Sequence, residues 1–312
     1  MGYRWWRPVA LVAAAMLLAA CGQSAVSGGG NARDSDELVF AAIPAENSAS
    51  LQQSYQGVID LLQRATGKTV RFQQATTYAA VIEAQRSGKV DIAQYGPLSY
   101  VLARNAGVRA SAVAAQAQQK DVPPGYRSYA VVRSDSPIRD LSSARGKKVC
   151  FVDPNSTSGN LYPRAGLVDA GVDPGADITP VMAGGHDASA LGVATGQCDI
   201  GFAYDSMVDT QLIQKGQLKP GQLRTVWKSD LIAGSPVAVG DDLDPGLKDT
   251  ITRVFQQQAN ADYFAANGLC EPGACVVNDA GGWGYAAVDD AFFDAVRHVC
   301  DVTKSDQCTS AP

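Results

Sequence analysis

Histidine is almost missing from this chain of 312 residues, which carries only His186 and His298. So few imidazoles, with cysteine spacings that match no zinc pattern, argue against a metal centre. Charge is sparse as well: charged side chains make up 18% of the chain and the formal balance is −5. No basic run occurs, which excludes nucleic acid as an expected partner. An anion bound by such a chain has to be held by local dipoles and hydroxyls, because the overall field repels it. There is no Gly-x-x-x-x-Gly-Lys loop to cradle a nucleotide, and no serine stands in a nucleophile-elbow pattern. No cofactor is expected. The apolar run at residues 9–20 is too short for a comfortable membrane-spanning helix.

What is present begins with that run. Arg4 and Arg7 precede it and Leu18-Ala19-Ala20-Cys21 follows, so residues 1–20 read as a targeting leader. Small residues directly before a cysteine resemble a bacterial lipobox, in which Cys21 is lipidated and becomes the mature N-terminus. The competing reading is an ordinary secretory leader with a chance cysteine. Residues 21–36 then form the lipidated cysteine and a Gly/Ser/Asn-rich tether. Loss of the two leader arginines takes the formal charge to −7. The expected location is outside the cell membrane, lipid-anchored to its outer face. Six cysteines remain, an even number in an exported chain. Cys270/Cys275 and Cys300/Cys308 are close in sequence, and Cys150 and Cys198 lie in strand-like runs of one candidate domain. The pairing Cys150–Cys198, Cys270–Cys275, Cys300–Cys308 is one choice among the 15 that six cysteines allow.

Hydrophobic residues make up 46% of the chain, enough for one large or two medium cores. Residues 38–43, 69–73 and 90–95 read as strands, and residues 51–66, 78–87 and 98–105 as helices. This β-α alternation predicts a mostly parallel sheet covered on both faces. A further strand is expected at 111–119 and another at 129–133. Residues 147–152, 178–182 and 199–203 repeat the alternation around a helix at 188–195. The expectation is α/β, in two lobes: residues 37–133 and 229–312 in the first, which is discontinuous, and residues 134–228 in the second. Two lobes joined by two chain crossings form a cleft at the carboxyl ends of their strands, where ligands bind in open sheets.

The chain is organised around residues 153–163, Asp-Pro-Asn-Ser-Thr-Ser-Gly-Asn-Leu-Tyr-Pro. Three hydroxyl residues and a glycine stand where a predicted strand passes into a helix at 164–170. The first N–H groups of a helix lack intrahelical partners and carry the positive end of its dipole. Rotatable hydroxyls and a glycine that admits close approach suit a tetrahedral oxyanion. An ordinary helix cap uses the same residue types.

Together with Asp91-Ile92-Ala93-Gln94-Tyr95-Gly96-Pro97-Leu98-Ser99-Tyr100 and Gly185-His186-Asp187-Ala188-Ser189-Ala190-Leu191, this stretch resembles the phosphonate/phosphite/phosphate-binding proteins of ABC importers, the PhnD-like group. The resemblance runs over almost the whole mature chain. It implies a two-lobed periplasmic-binding-protein fold of type II kind. It also implies a small phosphorus oxyanion held between the lobes, an ABC permease as membrane partner, and a monomer. Carried over by motif, Ser156, Thr157 and Ser158 hold the anionic oxygens. Tyr95 and Tyr78 face them from the first lobe, His186 joins from the second, and Asp205 accepts a ligand proton. Gln94 stands where the family often has an aromatic residue, which bears on the ligand's size. Trp227 and Trp283 read better as packing than as cleft walls. Two other functions compete with transport: a sensory or adaptor lipoprotein using the same pocket, and a phosphate-ester hydrolase using Ser156 or Ser158 with His186 as base.

Overall fold

The computed structural model describes residues 35–46, 48–303 and 308, with residue 48 described in its backbone only. The expected leader, Cys21 and most of the tether lie outside the described residues. The chain runs β1 (Glu37–Ala42), α1 (Ser48–Thr66), β2 (Thr69–Gln73), α2 (Tyr78–Arg86), β3 (Ile92–Gln94), α3 (Pro97–Asn105) and β4 (Ala110–Ala117). It continues through β5 (Gly125–Tyr126), β6 (Ser128–Arg133), β7 (Lys148–Phe151), α4 (Tyr162–Asp169), β8 (Thr179–Met182), α5 (His186–Ala194), β9 (Ile200–Tyr204), α6 (Leu212–Gln214) and β10 (Leu223–Lys228). The last elements are β11 (Ile232–Ala233), β12 (Pro236–Gly240), α7 (Pro245–Arg253), α8 (Ala261–Ala266), β13 (Gly284–Ala287) and α9 (Asp294–Thr303).

These strands form two main sheets, ordered β13-β4-β12-β3-β1-β2 and β10-β6-β9-β7-β8. In the first, β1 pairs in parallel with β2 and β3, as the β-α alternation predicts. The strands that come back from the second lobe or from the chain's end add antiparallel pairs, β12 with β3 and β4, and β13 with β4. The second sheet is mixed in the same way, with β7 parallel to β8 and β9, and β6 antiparallel to β9 and β10.

The lobe boundary expected after residue 133 falls one strand too late. β6 pairs Ser128 with Tyr204 and Val131 with Gly201, so it belongs to the second sheet. The crossings therefore lie on either side of Ser128 and Lys228. There β5 and β11 pair through Tyr126 and Ile232, forming a two-stranded ribbon between the lobes.

Period-two alternation sends successive strand residues to opposite faces, and both faces are buried. In β1, Leu38, Phe40 and Ala42 pack with Tyr55 and Val58 of α1 and Ile251 of α7, whereas Val39, Ala41 and Ile43 pack with Val81 of α2, Val101 of α3 and Val296 of α9. In the second lobe, Tyr129 and Val131 face α5, while Ala130 and Val132 face Leu167 of α4. Both tryptophans named above are placed outside the cleft. Trp227 lies edge-on to Phe202 with centroids 6.1 Å apart, and the Trp283 backbone pairs with Ala261 and Gln118.

The three expected cysteine pairs have Cα separations of 5.8, 5.2 and 5.5 Å, within the disulfide range. Cys150–Cys198 closes a loop of 48 residues and ties β7 to the entry of its neighbour β9. Such a loop constrains the unfolded chain by about 4 kcal/mol in the chain-entropy view. The double variant Cys150→Ala/Cys198→Ala is expected to lower unfolding stability by about that amount, read from urea midpoints of oxidised protein. Equal midpoints for the two proteins would show that the link adds nothing.

Candidate functional site

β7 ends at Phe151 on the face that the second lobe turns toward the first. Asp153 then bends the chain, its Oδ1 accepting from Asn155 N–H at 2.8 Å. Ser156 is an N-cap: its Oγ accepts from Gly159 N–H at 3.0 Å. The cap reading of this serine is thus observed, and it coexists with a place in the cavity wall. Thr157–Leu161 winds as one π-helical turn, closed by Leu161 N–H to Ser156 O at 3.0 Å, and passes into α4. Such turns recur at functional sites because they re-aim side chains and backbone. Gly159 makes the turn possible. A Cβ there would lie 2.3 Å from Val152 Cγ2 and 2.8 Å from Ser156 Oγ, so any side chain would drive the turn off the strand.

The hydroxyls of this turn enter a cavity of about 40 Å³ between the lobes. One water needs roughly 10–15 Å³ on this measure, so the space holds about three or four waters, the room of a small molecule such as a tetrahedral oxyanion. Ser156, Thr157, Ser158 and His186 line it from the second lobe, Tyr78, Gln116 and Asp279 from the first, and Tyr126 and Ser235 from the ribbon between them. No lysine or arginine lines it.

Three donors in this wall, Ser156, Thr157 and His186, have their acceptor side occupied by a backbone N–H. Thr157 Oγ1 accepts from Leu98 N–H at 2.8 Å, at the start of α3 in the other lobe. With that lone pair engaged, as with Ser156, the hydroxyl proton remains to be donated. His186 opens α5 after Gly184, whose φ of +86° suits glycine. Its Nδ1 accepts from Tyr204 N–H at 3.3 Å, which places the proton of the neutral ring on Nε2. Burial pushes its pKa down to about 3, so the ring stays neutral and acts as a donor. The Tyr78 hydroxyl is buried beside Ser156 with no hydrogen-bond partner among the described residues. Buried polar groups are nearly always paired, so this hydroxyl points to a partner that the protein itself does not provide.

Five polar contacts from one lobe to the other surround the cavity. Thr157 meets Leu98, Asp153 Oδ2 accepts from Tyr78 N–H at 3.3 Å, and His186 N–H donates to Ala45 O at 2.8 Å. Ser206 Oγ donates to Ala280 O at 2.8 Å, and Lys215 pairs with the buried Glu46. The lobes are therefore closed over the site.

Two expected site residues have their polar atoms engaged within the protein. Tyr95 borders the cavity, but its hydroxyl donates to Gln85 Oε1 at 3.0 Å and is spent in the core. Asp205 does not line the cavity; its oxygens accept from Arg127 N–H at 3.0 Å and Ser206 N–H at 2.9 Å, so it organises a turn and the adjacent strand. Gln94 lines the wall with its amide fixed, donating to Ser235 O and Pro236 O and accepting from Tyr285 Oη. The carboxylate at the cavity is Asp279, absent from the sequence reading. Its Oδ1 accepts from Tyr55 Oη at 2.5 Å and Gln116 Nε2 at 2.6 Å. Burial pushes its pKa up, and those two donors oppose the rise. A signal existed: Asp279 is the only charged residue between Glu271 and Asp289. Among the described residues no cluster of three His, Cys, Asp or Glu side chains is arranged for a metal.

Two lobes closed by a hinge ribbon over a small, donor-lined cavity define a bilobal solute-binding protein. The chain belongs to the phosphonate periplasmic substrate-binding proteins of ABC transporters, whose family model matches residues 40–291. It is 49% identical over 281 residues to the phosphate-import protein PhnD of Mycolicibacterium smegmatis, covering 88% of each chain. It is 34% identical over 223 residues to the phosphonates-binding periplasmic protein of Escherichia coli, covering 70% of this chain and 65% of that one. Among solved structures, a binding-protein component of an ABC phosphonate transporter from Pseudomonas aeruginosa superimposes with a TM-score of 0.73 at 26% identity, over 88% and 90% of the two chains. Prochlorococcus marinus PhnD1 in complex with methylphosphonate shares the fold, with a TM-score of 0.73 at 18% identity over 86% and 98%.

The neutral, buried His186 has a consequence for stability. Its folded pKa lies below the unfolded value of about 6.5, so below that pH the unfolded chain takes up a proton that the folded chain refuses. Its contribution is present above about pH 6.5 and is lost as pH falls toward about 3, at a slope of roughly 1 kcal/mol per pH unit. The stability gap between wild type and His186→Gln, from urea unfolding at a series of pH values, is expected to narrow over that window. A gap independent of pH would refute a neutral buried ring.

Proposed function

We propose that this chain is the extracytoplasmic receptor of an ABC importer. In this reading it is exported, anchored by lipid on Cys21, cross-linked by three disulfides, and acts as a monomer. It captures a small phosphorus oxyanion in the interlobe cavity and presents it to a permease. The observation that carries the reading is the ring of oriented neutral donors from both lobes, with the Tyr78 hydroxyl left for a guest. The relatives named for phosphate import and phosphonate binding support the same class of cargo. Binding without chemistry is favoured by the site itself. The His186 Nδ1 is taken by a backbone N–H, and none of the cavity serines is hydrogen-bonded to that ring. A serine hydrolase needs that contact.

Calorimetric titration of the soluble chain beginning after Cys21, freed of carried-over ligand, tests the reading with phosphate, phosphite, methylphosphonate and 2-aminoethylphosphonate. One of them is expected to bind tightly and one-to-one. Thr157→Ala removes a hydroxyl donor and the Leu98 contact between the lobes. A hydrogen bond to a charged group is worth about 1.5–3 kcal/mol, so affinity should fall by roughly 10- to 100-fold. Absence of binding by all four in folded protein would refute the proposal.

A further inference from the structure

Of the five polar contacts that join the lobes, one is ionic. Glu46 follows β1 in the first lobe, and Lys215 follows α6 in the second. Their surroundings are unequal: the Glu46 side chain keeps 2% of its surface exposed and Lys215 keeps 34%. One Glu46 oxygen, Oε2, meets the lysine, whereas Oε1 is buried with no hydrogen-bond partner among the described residues. Two further carboxylates, Asp279 and Asp187, act on Glu46 with like charge. Burial pushes its carboxyl up from the ordinary range, and Lys215 only opposes the rise. The second lobe contributes to that burial. Lys215 lies against the carboxylate, and α5 begins against the preceding residue, where His186 N–H donates to Ala45 O at 2.8 Å. The pair stands in the wall of a groove of about 490 Å³ outside the cavity, and Asp279 lines both spaces.

We propose that Glu46 and Lys215 form a release device: closing the lobes buries the Glu46 charge at a cost that Lys215 offsets only in part, so the pair sets how readily the cargo is let go. This rests on the receptor reading above and concerns retention of the cargo, whichever oxyanion it is. Taking two charges out of water costs more than their attraction returns unless every remaining lone pair is satisfied, and here Oε1 is not. Parting the lobes takes Lys215 and the start of α5 away from Glu46 and gives the carboxylate back to water. The ion pair therefore fixes the register of the closed lobes and at the same time opposes their closure. The two partners are not equivalent. Without Lys215 a buried carboxylate has no cation, whereas without the Glu46 charge the half-solvated lysine stays in water.

The test is calorimetric titration with inorganic phosphate of wild type, Glu46→Gln, Lys215→Met and the double variant. A simple latch is weakened by either single change. The release device predicts opposite signs: about tenfold tighter binding for Glu46→Gln and about tenfold weaker for Lys215→Met. The double variant separates closure from a direct effect of charge on the anion. A field effect returns it to wild-type affinity, because the two charge changes cancel. The release device leaves it as tight as Glu46→Gln, because a neutral side chain at 46 no longer needs the lysine. Small-angle X-ray scattering of the ligand-free proteins gives a readout that needs no cargo. Glu46→Gln is expected to be more compact than wild type, and Lys215→Met no more compact than wild type.

Weaker binding by both single variants, or wild-type affinity in the double variant, overturns the proposal and leaves the receptor standing. If phosphate does not bind folded wild type, the same four proteins are titrated with phosphite, methylphosphonate and 2-aminoethylphosphonate. If none of these binds, the receptor reading fails and scattering alone decides: identical curves for Glu46→Gln and wild type overturn the release device.

Discussion

An anion taken out of water with no cation beside it has to be held by dipoles that are already oriented. Desolvating a charge is expensive, and unfixed dipoles would have to be ordered at the moment of binding. This chain meets the constraint by one repeated device. Ser156 Oγ accepts from Gly159, Thr157 Oγ1 from Leu98 and His186 Nδ1 from Tyr204, each time from a backbone N–H. A hydroxyl or imidazole whose lone pair is engaged in this way must point its proton elsewhere. The device needs the backbone to come close to the side chains it orients, which is why a Cβ at position 159 has no space. It also explains how a protein of net negative charge can host an anion without arginine or lysine in the wall.

One of those three orienting bonds crosses from lobe to lobe. Thr157 is complete as a donor only when α3 supplies Leu98, and α3 belongs to the first sheet's lobe. Closure and donor alignment are therefore one event. A ligand that binds the aligned donors favours the closed arrangement by its difference in affinity for the two arrangements. The pair Glu46–Lys215 adds a second link, one partner nearly fully buried and the other about one-third exposed. Removing one partner of a buried pair costs more than the pair gains, since Glu46 would keep a buried charge with no cation. Its other oxygen, Oε1, already lacks a partner, so the Lys215 contact is what holds that carboxylate in place.

Much of this was legible in the sequence. The strands and helices of the parallel units follow from alternation, helical spacing and glycine stops, and the hydroxyl turn stood out because three side-chain donors precede a helix. The missed lobe boundary has a local cause. β6 reads Ser-Tyr-Ala-Val-Val-Arg and is buried on both faces, so nothing in its pattern says which sheet it joins. Only its register with β9 decides that. Tyr95 was placed at the right wall, but its hydroxyl direction depends on Gln85, ten residues earlier on another element. Asp205 was a carboxylate at a plausible strand end, yet backbone N–H groups at Arg127 and Ser206 consume it.

Asp279 escaped for a physical reason that also indicates its importance. Its surroundings are assembled from Tyr55, 224 residues away, and Gln116, 163 residues away. Neither residue looks special where it stands: Tyr55 fits the apolar face of α1, and Gln116 is one polar residue in the alanine-rich β4. Their polar atoms make sense only as a pair converging on one carboxylate oxygen. Burying an aspartate is costly, and a stable fold has no need of one at this place, where an apolar residue would cost less. Two donors spent on Oδ1 reduce that cost. Those two donors hold the carboxylate at the cavity wall, a placement that depends on contacts between distant parts of the chain and on no local pattern around position 279.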